Sequence, residues 1–139
     1  AYICQKENNV GIYMPIYFSG GTDNDHRRIA NAIENFWSRP IWKYNVVMRV
    51  QIMSRPSMNS NFVRLFPGMN GSWVYNRKPH RGWYGEWALI PYNSDGRDYA
   101  HEAGHMMGVS HNPSSSLMDI YATDLAPRVR DLKAALESS

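Results

Sequence analysis

HEAGHMMGVSH, residues 101–111, holds three of the five histidines of this 139-residue chain. An α-helix turns about 100° per residue, so His101 and His105 fall one turn apart on one face. Their Cβ atoms then lie about 5–6 Å apart, close enough for two imidazoles to bind one zinc ion at about 2.0–2.1 Å each. Glu102 follows His101 and lies about 60° round the helix from His105, within reach of a water on that ion. Gly108, three residues past His105, is a residue that adopts positive φ and ends a helix. The chain can then turn back and bring His111 to the same ion. Three neutral histidines leave a fourth position for water, the pattern of a catalytic site, whereas a structural zinc is closed by four protein ligands. The competing reading is a His-rich helix without a metal. Five fixed positions arise by chance on the order of once in 10⁵ such chains, which disfavours that reading.

Outward from this stretch, the pattern is that of one domain. Residues 10–18, VGIYMPIYF, are apolar on both alternating faces, as in a central strand. Thr22 followed by Asp25 resembles a helix cap. Ile29, Ile33, Phe36 and Trp37 form one apolar stripe, and Pro40 is expected to stop that helix. In residues 45–52, Val46, Met48, Val50 and Ile52 alternate with Arg49 and Gln51, which predicts a half-exposed or edge strand. Strands are also expected at 61–66, 72–76 and 86–92. The turn PGMNG (67–71) favours an antiparallel hairpin between the first two of these. Asp95 and Asp98 suit the start of the helix that carries the motif. A last helix is expected over 125–137, with Leu125, Val129, Leu132 and Leu136 as its stripe, Asp124 as cap and Pro127 in its first turn.

Composition bounds the alternatives. Length suits one compact domain, 1–139. Hydrophobic residues make up 43% of the chain, enough for a buried core. The net charge is +3, and its one local cluster (Arg77, Lys78, His80, Arg81) reads as a solvated turn, so no nucleic-acid partner is expected. No apolar run is long enough to span a membrane, and the first residues, AYICQKENN, do not form a signal peptide. The single cysteine, Cys4, excludes an intrachain disulfide and reads as a half-buried residue near the first strand.

The motif matches, without a gap, the His-Glu-x-x-His-x-x-Gly-x-x-His signature of the metzincin zinc proteases. SSSLMDIY further on resembles that family's Met-turn, with Met118 seven residues after His111. The resemblance implies an α+β (α/β-like) zincin fold. It has a mixed, twisted five-stranded sheet with an antiparallel edge strand, a backing helix, the active-site helix, a Met-turn and a C-terminal helix. An upper subdomain spans about 1–111 and a lower one about 112–139. It also implies one catalytic Zn²⁺ held by His101, His105 and His111, with Met118 beneath them as an apolar floor. Glu102 is the implied general base. Some members stabilise the oxyanion with a Tyr two residues after the Met; here Ile120 stands there and Tyr121 comes one later, so Tyr121 is the candidate for that role.

The expected activity is therefore endopeptidase cleavage of a protein or peptide substrate lying along the edge strand. Residues 72–76 are the candidate strand, with Trp73, Tyr75, Trp83 and Tyr84 around the cleft or covering the sheet. Asp98 and Asp119 are candidates to orient a ligand histidine. Other readings stay open: a hydrolase of the same fold acting on another amide such as a cell-wall peptide, a toxin or effector domain delivered into another cell's cytosol, and a non-catalytic zinc-binding module. A secreted or exported setting is expected, with an inhibitor or immunity protein as a further partner.

Overall fold

The computed structural model describes residues 1–57, 60–66, 73–75, 87–91, 96–109, 111, 118 and 126–138. In chain order these contain β1 (Tyr2–Lys6), β2 (Asn9–Ser19), α1 (Asp23–Trp37), β3 (Pro40–Ile41), β4 (Tyr44–Ile52), β5 (Asn61–Phe66), β6 (Trp73–Tyr75), β7 (Trp87–Pro91), α2 (Gly96–Met106) and α3 (Val129–Ser138). The strands form one mixed sheet in the order β3-β4-β2-β5-β7-β6, with β1 also paired to β2. Within it, β4-β2-β5-β7-β6 is the expected five-stranded frame, and β1 and β3 are short additions. Strands β4, β2, β5 and β7 run parallel, while β6 lies antiparallel beside β7 at the end of the sheet.

The central place of β2 follows from its apolar content. Val10, Ile12, Met14, Ile16 and Phe18 are buried on one face. Its first half carries β1 on one side, its last residues carry β5 on that same side, and β4 runs along the other. On the opposite face Tyr13 is exposed and rests against Tyr2 of β1, with ring centroids 6.1 Å apart.

Helix α1 begins in a full capping box. The Asp25 amide donates to Thr22 Oγ1 (3.2 Å), and the Thr22 amide donates back to Asp25 Oδ2 (2.8 Å). Its buried face is Ile29, Ala30, Ile33 and Trp37. Complete burial of Ile29 or Ile33 contributes roughly 1.5–3 kcal/mol each. This face packs on β4 and on α2. Trp37 closes the helix, fully buried, and its indole N–H donates to the Ala100 carbonyl of α2 at 3.0 Å.

Strand β4 alternates buried and exposed residues as expected. Its outer margin carries three successive outward amides. Val46 N–H donates to Arg39 O (3.2 Å), Met48 N–H to Ser38 Oγ (2.7 Å) and Val50 N–H to Glu34 Oε2 (3.1 Å). The end of α1 and the residues after it thus seal an edge that would otherwise pair with any extended chain.

Three expectations are corrected. The segments 61–66 and 73–75 do not form a hairpin: β7 lies between them, pairing parallel with β5 and antiparallel with β6. Cys4 is exposed rather than half-buried, because it lies on the outer face of β1. Helix α3 starts at Val129, so Pro127 precedes it. The Arg128 amide donates to Asp131 Oδ2 at 2.8 Å, which places the cap four residues later than expected. Asp124 and Leu125 lie outside the described residues, as does Asp95. Leu132 and Ala135 of α3 join the core, which is continuous from β2 and β4 through α1 and α2 to Met118.

The capping box yields a pH-dependent expectation. The Thr22 backbone and hydroxyl donors hold the Asp25 carboxyl below its ordinary value of 3.8. A depressed carboxyl stabilises the fold above its unfolded value, and that contribution disappears as pH falls through the folded one. Chemical denaturation should show Thr22→Ala less stable by about 1 kcal/mol at neutral pH. The deficit of Asp25→Ala should be full at neutral pH and shrink below pH 3.8. A deficit unchanged in acid would disprove the linkage.

Candidate metal centre

Helix α2 places His101 and His105 on one face, and the turn after it returns the chain to them. The turn is a Schellman closure: the Val109 amide donates to Gly104 O (3.0 Å) and the Gly108 amide to His105 O (2.9 Å). It requires a left-handed residue, and Gly108 has φ +89°. A side chain there would be strained.

The three histidines meet through their Nε2 atoms. His101 and His111 stand 3.0 Å apart, His105 and His111 3.0 Å, and His101 and His105 3.1 Å. His105 Nδ1–H donates to Val109 O at 2.7 Å. A carbonyl only accepts, so this contact puts the ring proton on Nδ1 and leaves a lone pair on Nε2. Burial holds the His105 pKa down to about 4, reinforced by the neighbouring His101 and His111 rings and opposed by the Val109 hydrogen bond. The ring is therefore neutral near pH 7, as a ligand must be.

This triangle is a poor hydrogen-bond network, since a proton bridges one edge at a time. A cation uses all three nitrogens at once. His101, His105 and His111 would hold such an ion through their three Nε2 atoms. The donor set thus fits a divalent transition metal, for which imidazole is a suitable ligand.

Around the triangle, Glu102 is buried in α2, 5% exposed. Met118 is completely buried, and its thioether lies against α2 at Gly104. A Cβ at Gly104 would overlap Met118 Sδ and come within 3.2 Å of Trp37 Cζ2. Only glycine lets the helix lie this deep. Asp98 is in the first turn of α2, 3.9 Å from Arg97 in an ion pair. Tyr121, Asp119, Trp83 and Tyr84 lie outside the described residues, as do the other residues of the SLMD turn around Met118. Trp73 and Tyr75 are described in their backbone only, as the ends of β6. The Val109 carbonyl has a role that the side-chain pattern did not signal; its position one past the turn glycine was the available clue.

No family model matches the sequence, and no curated protein matches it. The fold is similar to that in the crystal structure of metalloproteinase-II from Bacteroides fragilis, with a TM-score of 0.61 over 92% of this chain and 14% sequence identity. This chain spans about half of that protein, 52% of its length. At this identity the likeness is one of fold.

Two variants separate the centre from its scaffold. His111 is exposed, so His111→Ala should leave thermal unfolding near wild type while weakening divalent-metal binding at least about tenfold by calorimetry. Gly104→Ala should lose about 1–3 kcal/mol of stability by overpacking. Wild-type metal affinity in the first variant would remove His111 from the centre.

Proposed function

We propose that the protein is a zinc endopeptidase of the metzincin type, with His101, His105 and His111 as the metal ligands. The observation that carries this reading is the convergence of three Nε2 atoms, one of them on a ring that burial keeps neutral and Val109 fixes in its Nδ1–H tautomer. Support comes from Glu102 in the same helix and from a fold similar to a metalloproteinase. Zn²⁺ bound there would supply Lewis acidity to the attacking water and to the scissile carbonyl.

The remaining chemistry falls to the chain itself. Glu102, as a carboxylate, takes a proton from the water as its oxygen bonds to the carbonyl carbon. It then delivers that proton to the departing nitrogen as the C–N bond breaks, leaving an amine and a carboxylic acid, which loses its remaining proton to the amine or to solvent at neutral pH. Val109 keeps His105 in the tautomer whose Nε2 is available throughout. Met118 acts as the Met-turn residue, an apolar floor at Gly104 beneath the ligand helix. An extended peptide adds to the outer edge of β6, where backbone amides and carbonyls provide affinity for any sequence. Tyr121 is the candidate to hold the developing oxyanion.

Glu102→Gln and Glu102→Ala test the assignment. Each should keep one equivalent of zinc by elemental analysis and cut hydrolysis of an unstructured protein such as casein by about 10²–10⁴-fold. Undiminished hydrolysis in either variant would falsify the role of Glu102. A wild-type protein that binds zinc without cleaving any peptide would refute the endopeptidase reading.

A further inference from the structure

The two helix ligands each directly follow a residue at which Trp37 meets α2. Ala100, whose carbonyl accepts the indole N–H at 3.0 Å, precedes His101. Gly104, whose missing Cβ would stand 3.2 Å from Trp37 Cζ2, precedes His105. Trp37 itself is fully buried. The next residue, Ser38, is fastened to the sheet in both directions: its hydroxyl accepts from Met48 N–H (2.7 Å) and donates to Met48 O (3.2 Å). A continuous path therefore runs from the sheet through Ser38 to the indole, and from the indole to successive turns of the ligand helix.

We infer that Trp37 is a positioning residue of the metal centre, acting through its hydrogen bond to the Ala100 carbonyl; this rests on the metal-centre reading above. Apolar packing by Ile29 and Ile33 resists separation of α1 from α2 but is non-directional. The indole N–H bond is directional, and it fixes how far α2 is rotated and how far it slides along α1. A carbonyl has two lone pairs, so Ala100 can accept this bond besides a helical amide. Two of the three Nε2 atoms move with α2, whereas His111 lies beyond the Gly108 turn. A triangle with 3.0–3.1 Å edges loses its fit to one ion when two corners shift by about 0.5 Å. Met118 closes on Gly104 and holds the helix against the ring.

The test compares wild type, Trp37→Phe and Ile33→Val, the last being a buried site on the same helix that makes no such bond. Zinc affinity is read by competition with a chromophoric chelator, and ligand geometry by the visible d–d absorption of the cobalt(II)-loaded protein. Trp37→Phe should bind zinc about tenfold more weakly and show an altered cobalt band, while Ile33→Val matches wild type in both. Wild-type affinity and spectrum in Trp37→Phe overturn the inference, as does an equal change in Ile33→Val. If Trp37→Phe does not fold, a benzothienylalanine placed at position 37 keeps the ring volume and replaces the N–H by sulfur. The same two readouts then decide. Absence of any cobalt band in the wild type would instead refute the metal centre itself, an outcome distinct from the variants' failure.

Discussion

The hydrogen bond from His105 Nδ1–H to the Val109 carbonyl joins two things that are otherwise separate, the ending of a helix and the tautomer of an imidazole. Gly108 supplies the left-handed step, and Val109, one residue on, points its carbonyl back at the ring. The same reversal of the chain delivers His111. Backbone conformation and imidazole tautomer are therefore set by one turn. Its driving force is mostly local, two amide bonds of the Schellman closure and the burial of Val109, which is 1% exposed.

Depth is the second constraint. Helix α2 lies against Trp37 and Met118 at a glycine, and the apolar surface beneath it is shared with β2, β4 and α1. Burial has an electrostatic consequence: it disfavours the imidazolium form of His105, so the apolar core that stabilises the fold also keeps this ring in the neutral form that a metal ligand requires. Stability and chemistry thus draw on one set of contacts.

Much of this was legible in the sequence, for identifiable reasons. His101, His105, Gly108 and His111 are readable because helical periodicity and the glycine at the helix end both have sharp signatures. The α1 capping box is readable for the same reason. What escaped was non-local or lacked the usual residue. Turn PGMNG indicates that the chain reverses but not which strand it joins, and β7 arrives later in sequence to occupy the place between β5 and β6. The short turns that connect β1 to β2 and β3 to β4 place Glu7 and Trp42 at φ +57° and +54°, where glycine or asparagine would have announced a turn. Trp37 reads as a core aromatic, because a bond from its indole to a distant carbonyl leaves no periodic trace. The start of α3 is legible in Asp131, a residue suited to bond the amide of its own helix cap, but Pro127 is equally compatible with the first turn of a helix that begins earlier.

The closure of the β4 margin by Arg39, Ser38 and Glu34 makes the sheet asymmetric as a hydrogen-bonding surface. A strand cannot join there without displacing four bonds already made to its own chain. Among the described residues, the opposite end of the strand order is formed by β6. Resistance to edge-to-edge self-association is thus provided on the β4 side by groups that α1 and the residues after it bring to the strand.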